Sequence, residues 1–93
     1  MRNYEFTIIF RANEEDTQAG LKLVSSLFES AGVKVTKQDD LGVRLFAYEM
    51  KKQDKGHYFY YEISADPASI VTFEKELLFS NSVIKFLFVN KEN

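Results

Sequence analysis

Along this chain the spacing of apolar residues switches between two and roughly 3.6 in a set order, and few folds accommodate that order. Tyr4, Phe6, Ile8 and Phe10 alternate with Asn3, Glu5, Thr7 and Ile9, which predicts a strand over 2–10. Asn13 offers a helix cap, and Glu14, Glu15 and Asp16 place carboxylates at the positive end of the helix dipole. Leu21, Val24, Phe28 and Ala31 recur at helical spacing, widened by Leu23 and Leu27, and Gly32 supplies a left-handed stop. This predicts a helix over 14–31. Val33 to Lys37 alternate as a strand, Gln38-Asp39-Asp40 interrupts it, and Leu41-Gly42 suggests a bend or bulge. Alternation resumes over Val43 to Met50. The polar run Lys51 to Gly56 reads as a hairpin connection to a further strand over 57–64. Asp66-Pro67 opens a second helix, with Ile70, Phe73 and Leu77 on its buried face and Ser80-Asn81 at its end. Val83 to Val89 form the last strand, and 90–93 are a short polar tail.

The order is strand, helix, strand, strand, helix, strand. Two βαβ halves of this kind build an α+β, ferredoxin-like sandwich: a four-stranded antiparallel sheet with both helices on one face. Right-handed crossovers put the first and third strands in the middle. With 93 residues the whole chain, 1–93, is expected to be one such domain. One sheet face is then covered and the other open.

Side-chain chemistry assigns the faces. An unpaired carboxylate is costly in a core, so Glu62 turns Tyr58 and Tyr60 outward with it and sends Phe59, Tyr61 and Ile63 inward. Lys85 points outward, so Ile84, Phe86 and Phe88 go in while Val83, Leu87 and Val89 come out. The second strand is apolar on both parities. If Arg44 points out, Phe46, Tyr48 and Met50 follow it, and Leu45 and Ala47 go in. The open face then carries Ile9, Phe46, Tyr48, Tyr58, Tyr60 and Leu87, a contiguous aromatic patch of the kind that marks a binding surface.

Composition excludes several classes of chemistry. With no Cys and a single His, neither a disulfide framework, a Cys-ligated metal nor a thiol nucleophile can be built. No cofactor loop is present, the four Gly being scattered at 20, 32, 42 and 56. His57 reads as a turn histidine, and Glu14-Glu15-Asp16 as helix-start acids, so neither a catalytic residue nor a metal site is expected. Apolar runs are far short of the roughly 20 residues of a membrane span, and the N-terminus has no secretory pattern, so a cytoplasmic setting is expected. The net charge of −2 argues against a nucleic-acid binder acting alone. Stacked bases on a sheet are a known use of this topology, but His57-Tyr58-Phe59-Tyr60 lacks the Lys/Arg-Gly-aromatic motif that goes with it.

Three segments carry a resemblance: Arg2-Asn3-Tyr4-Glu5, Leu41-Gly42-Val43-Arg44-Leu45-Phe46-Ala47-Tyr48, and Gly56 followed by an aromatic strand. Together they resemble the bacterial small-subunit ribosomal protein six family, the pattern Leu-Gly-x-Arg-x-x-Ala-Tyr being the specific part. The resemblance implies a structural constituent of the small ribosomal subunit with no enzymatic activity. It implies binding to the central domain of the small-subunit ribosomal RNA together with the basic ribosomal protein eighteen. Carried over to this chain, Arg2, Tyr4 and Lys85 are implied as RNA-binding residues. Arg44, Phe46, Tyr48, Tyr58 and Tyr60 are implied as partner-binding residues. Family members tend to carry more Arg in the last strand, where this chain has Ile84-Lys85, and Lys lacks the planar bidentate grip of Arg on phosphate. The alternative is a free-standing ferredoxin-like regulatory or ligand-binding domain that pairs sheet to sheet as a homodimer.

Overall fold

The computed structural model describes residues 1–91, so the end of the polar tail expected over 90–93 lies outside the described residues. Its elements are β1 (Arg2–Arg11), α1 (Glu14–Ser30), β2 (Lys34–Met50), β3 (Gln53–Ala65), α2 (Pro67–Phe79) and β4 (Val83–Asn90). The sheet order is β2-β3-β1-β4 with antiparallel pairing throughout, the ferredoxin-like arrangement expected from the periodicities.

Local chemistry sets the helix ends. Asn13 caps α1, its Oδ1 accepting the Asp16 N–H at 2.7 Å while its Nδ2 donates to Asp16 Oδ2 at 2.7 Å. At the other end Gly32, with φ of +68°, donates its N–H to Glu29 O, and Val33 donates to Phe28 O. These two bonds satisfy carbonyls that the last turn leaves unpaired. Asp66 caps α2 by accepting the Ala68 N–H at 2.9 Å, with Pro67 in the first turn.

The core lies between the sheet and the helices, and it accounts for much of the aromatic content. Phe6, Ile8 and Phe10 of β1 and Phe59, Tyr61 and Ile63 of β3 meet Val24 and Phe28 of α1 and Ile70, Phe73 and Leu77 of α2. Phe6 stacks on Phe88 at 4.3 Å and meets Phe28 edge-on at 5.8 Å, while Phe28 contacts Phe73 at 5.3 Å. Such ring pairs add about 0.5–1.5 kcal/mol each beyond the area they bury.

Four readings are corrected. The second strand is continuous from Lys34 to Met50 and absorbs its Asp39-Asp40 segment through register shifts at Val35/Lys37 and Asp40/Gly42. Gly42, at φ of +82°, takes the bulge conformation. Leu45 and Ala47 do not go in, and Leu45 is 77% exposed. Arg44 already pairs with Gly56, and Gly56 pairs with Arg11 at the end of β1, so the hairpin beyond projects past the core. Val83 faces the core rather than solvent, because the ladder slips between Ile9 and Phe10 and sets Val83 opposite Phe10. The slip also separates the buried Ile84 from the principal core cluster. Finally, the hairpin turn is confined to Lys51-Lys52, and β3 starts at Gln53, so His57 lies within the strand and not in a turn.

Candidate functional site

The open face of the sheet is built from alternate residues of all four strands. On β3, Tyr58 and Tyr60 project there with Glu62; on β1, Glu5, Thr7 and Ile9 stand beside them. On β4, Lys85, Leu87 and Val89 complete the far side. Phe59, Tyr61 and Ile63 are buried on the opposite face, as the parity argument requires.

The aromatic residues gather toward the hairpin. The Arg44 guanidinium carbon sits 5.8 Å from the Tyr58 ring centre, within cation–π range. Phe46 meets Tyr58 edge-on at 6.2 Å. Phe46 and Tyr58 share a hollow of about 330 Å³ with Leu45, Ala47, Tyr48 and Met50. Tyr48 is 85% exposed, while Phe46 and Tyr58 are half-buried. A second hollow of about 210 Å³ lies at the β1–β4 side, lined by Thr7, Ile9, Lys85, Phe86 and Leu87. Between them Ile9 is 7% exposed although it points to the open side, covered by its neighbours. Part of the patch is therefore packed on itself, and its exposed apolar surface falls to Tyr48 and Leu87.

Farther along the face the character becomes acidic. Glu5 and Glu62 are directly opposed across β1 and β3, a placement that is unfavourable for like charges. The Tyr60 hydroxyl lies between them, 3.0 Å from Glu5 Oε2 and 2.9 Å from Glu62 Oε2, and its single proton serves the pair. Burial pushes the Tyr60 phenol well above its ordinary range, and the two carboxylates push it further. The hydrogen bond from Tyr60 holds Glu62 below the usual carboxylate value, assisted by Lys91 at 3.2 Å. Tyr60 is thus a polar bridge rather than an exposed ring, and it brings together on this face two carboxylates, Glu5 and Glu62, that the sequence reading did not name as candidate site residues. Their signal was present: Glu5 shares the outward parity of Tyr60 on the neighbouring strand.

The predicted RNA-contact residues do not form one cluster. Arg2 is exposed at the start of β1, opposite Ala65. Lys85 is exposed at the other end of the sheet, opposite Ile9. Tyr4 is 8% exposed and belongs to the core cluster. His57 is tied to Asp40 at 2.6 Å and stacks on Phe59 at 4.6 Å. That bond and the Gly42 N–H hold Asp40 below the usual carboxylate range, so the pair braces the β2 bulge.

Comparison with known proteins places the chain in a family. The sequence model of the family Ribosomal protein S6 matches residues 3–90. The chain is 33% identical to the small ribosomal subunit protein bS6 of Treponema denticola over 93 residues, covering 100% of both chains. It is 34% identical to the bS6 protein of Exiguobacterium over 87 residues, covering 91% of this chain and 92% of the relative. Its structure superimposes on the crystal structure of 30S ribosomal protein S6 from Thermotoga maritima with a TM-score of 0.87. The identity there is 26%, covering 97% of this chain and 87% of the other. Sequence and structure agree over nearly the full length, and the chain belongs to the ribosomal protein S6 family of the small ribosomal subunit.

Proposed function

We propose that this protein, acting as one ferredoxin-like domain, is a non-enzymatic constituent of the small subunit that binds the central domain of its ribosomal RNA in a heterodimer with the basic ribosomal protein eighteen. Its setting is the cytoplasm, on the ribosome. The open sheet face is the protein–protein surface, with Arg44, Phe46, Tyr48, Tyr58 and Tyr60 receiving the partner. Arg2 and Lys85 are the RNA contacts, and Tyr4 acts from within the core by holding the strand that carries Arg2.

One observation carries the reading. An aromatic hollow adjoins an acidic bridge of Glu5, Tyr60 and Glu62 on the same face. This combination suits a basic partner that presents apolar side chains and cations together. A chain of net charge −2 supplies little of the positive field that RNA requires, so the partner supplies it and this protein shapes it.

Filter binding to a central-domain RNA fragment over a range of salt tests the proposal. The chain alone is expected to bind weakly, and the pair more tightly than either protein. Tight binding by the chain alone at physiological salt, with a steep salt slope, contradicts it.

A further inference from the structure

The open face owes two of its side chains to one extra residue in β2. Asp40 stands opposite Phe59 and Gly42 opposite Tyr58, which leaves Leu41 without a partner in the ladder. Phe59 belongs to the helix side of the sheet and Tyr58 to the open side. Asp40 therefore faces the helix side, and strict alternation would send Arg44 there too. The extra residue reverses the parity, and Arg44 and Phe46 arrive on the open face beside Tyr58. Two side chains hold this bulge from the helix side. Asp40 Oδ1 accepts the Gly42 N–H at 2.9 Å and lies 2.6 Å from His57 Nε2. Asp40 is held below the usual carboxylate range and carries no proton near neutral pH, so Nε2 is the donor. The His57 ring is fixed in turn by its stack on the buried Phe59, 4.6 Å between centres. On the open face the carbonyl of the bulged Leu41 accepts from Arg44 Nε at 3.4 Å, and the guanidinium lies over Tyr58. A chain of contacts thus runs from His57, through the bulge, to Arg44.

We propose that His57 and Asp40 form a register lock: they are positioning residues that keep Leu41 as the extra residue and so hold Arg44 and Phe46 on the open face. The competing arrangement is close at hand. Drawing the extra residue out of the bulge would restore strict alternation beyond Asp40. Arg44 and Phe46 would then turn toward the helix side, and Val43 and Leu45 toward the open one. Both parities of this stretch are apolar, and Val43 and Leu45 are already 51% and 77% exposed. Burial therefore discriminates weakly between the two registers, and the choice falls to local bonds. Gly42 permits the bulge, with φ of +82°, but glycine permits a regular strand as well. The bonds on Asp40 Oδ1 select between them. The inference deepens the heterodimer reading and rests on it for the effect on the partner, whereas the lock itself belongs to the chain alone.

Nuclear magnetic resonance of the full chain tests it with four variants. His57→Phe keeps a ring against Phe59 and removes the donor, and Asp40→Ala removes the acceptor. Asp40→Asn keeps an oxygen for both donors. Asp39→Asn alters the adjacent carboxylate, which pairs with Lys37 at 3.7 Å and stands opposite Tyr60. In the wild type the Tyr58 ring should shift the Arg44 δ-protons upfield. In His57→Phe and Asp40→Ala that shift should be lost, and the Gly42 amide should exchange about tenfold faster or more, while the amides of β1 keep their protection. Asp40→Asn should restore both signals, and Asp39→Asn should leave them as in the wild type. A pair that served stability alone would open β1 together with Gly42 and leave Arg44 over Tyr58 in the folded molecules. That pattern overturns the proposal, as does an undiminished ring shift in His57→Phe. Calorimetry against ribosomal protein eighteen separates the two readings. A wild type that does not bind contradicts the heterodimer, and the resonance signals still decide the lock. With a wild type that binds, His57→Phe should weaken the complex about tenfold or more. An unchanged affinity with the ring shift lost overturns the proposed effect on the partner.

Discussion

A β-carbon on Gly56 would stand 2.4 Å from Ile9 Cγ2 and 2.7 Å from Phe46 Cζ. The absence of a side chain lets Ile9 and Phe46 close over the strand and join the two halves of the open face. Gly56→Ala should therefore cost about 1–3 kcal/mol through overpacking, read as a lower urea midpoint with an unchanged slope. Asp16 is a second residue with a definite role. It accepts from Asn13 Nδ2, the main cause of its lowered pKa, and from Ser82 Oγ at 2.9 Å, tying the start of α1 to the start of β4. A carboxylate whose pKa is lower in the folded state stabilises fully above its unfolded value and loses that contribution as pH falls through the folded one. Stability should thus fall as pH drops below about 4. Asp16→Asn should flatten that acid limb in urea melts at stepped pH; an unchanged limb would show that the cap contacts carry no linkage. The residue scale is also where sequence reasoning was weakest. Tyr60 was legible as outward-facing because Glu62 shares its parity, but its bridging of Glu5 and Glu62 depends on the β1–β3 register, which a single strand does not reveal. Tyr4 sits on the inward parity of the first strand and was buried accordingly, although the family pattern had offered it to RNA.

Among the elements, the two helices and β1 were the most legible, because caps and period agreed there: Asn13 before an acidic turn, and Asp66-Pro67 before Ile70, Phe73 and Leu77. β2 was the least legible. It is an edge strand with three register shifts, at Val35/Lys37, Asp40/Gly42 and Leu45/Met50, each of which reverses the parity on which face assignment depends. Its last third also lies beyond the ends of β1 and the helices, where an apolar side chain has no core to enter. The slip in β4 had the same effect on Val83. At the hairpin tip, Lys51 and Lys52 both hold positive φ, +48° and +61°, a turn that suits right-twisted strands but strains a residue with a β-carbon. Lys51 also donates to Val83 O at 3.2 Å and braces the hairpin against β4. Lys52→Gly should relieve strain without touching that brace, raising stability by about 0.5–1 kcal/mol in thermal or urea unfolding, because the left-handed cost removed exceeds the entropy that glycine loses. A decrease would mean that the entropy lost by glycine outweighs the strain released.

At the scale of the molecule, the proposed function separates stability from recognition. The ring-rich core lies on the helix side of the sheet, and the proposal places the partner on the other side and on a hairpin that extends beyond the core. Changes at Tyr48 should therefore affect assembly without affecting folding. The ring is 85% exposed, so truncating it should move stability by no more than about 0.5 kcal/mol. When a ring of this kind is desolvated at an interface, its loss costs roughly 2 kcal/mol or more. The decisive measurement is paired: a urea melt of Tyr48→Ala alone, and titration calorimetry of wild type and variant against ribosomal protein eighteen. The account predicts superimposable melts and an affinity for the partner at least about tenfold weaker in the variant. Equal affinities, with both proteins folded, would contradict the claim that the hairpin end of the open face receives the partner.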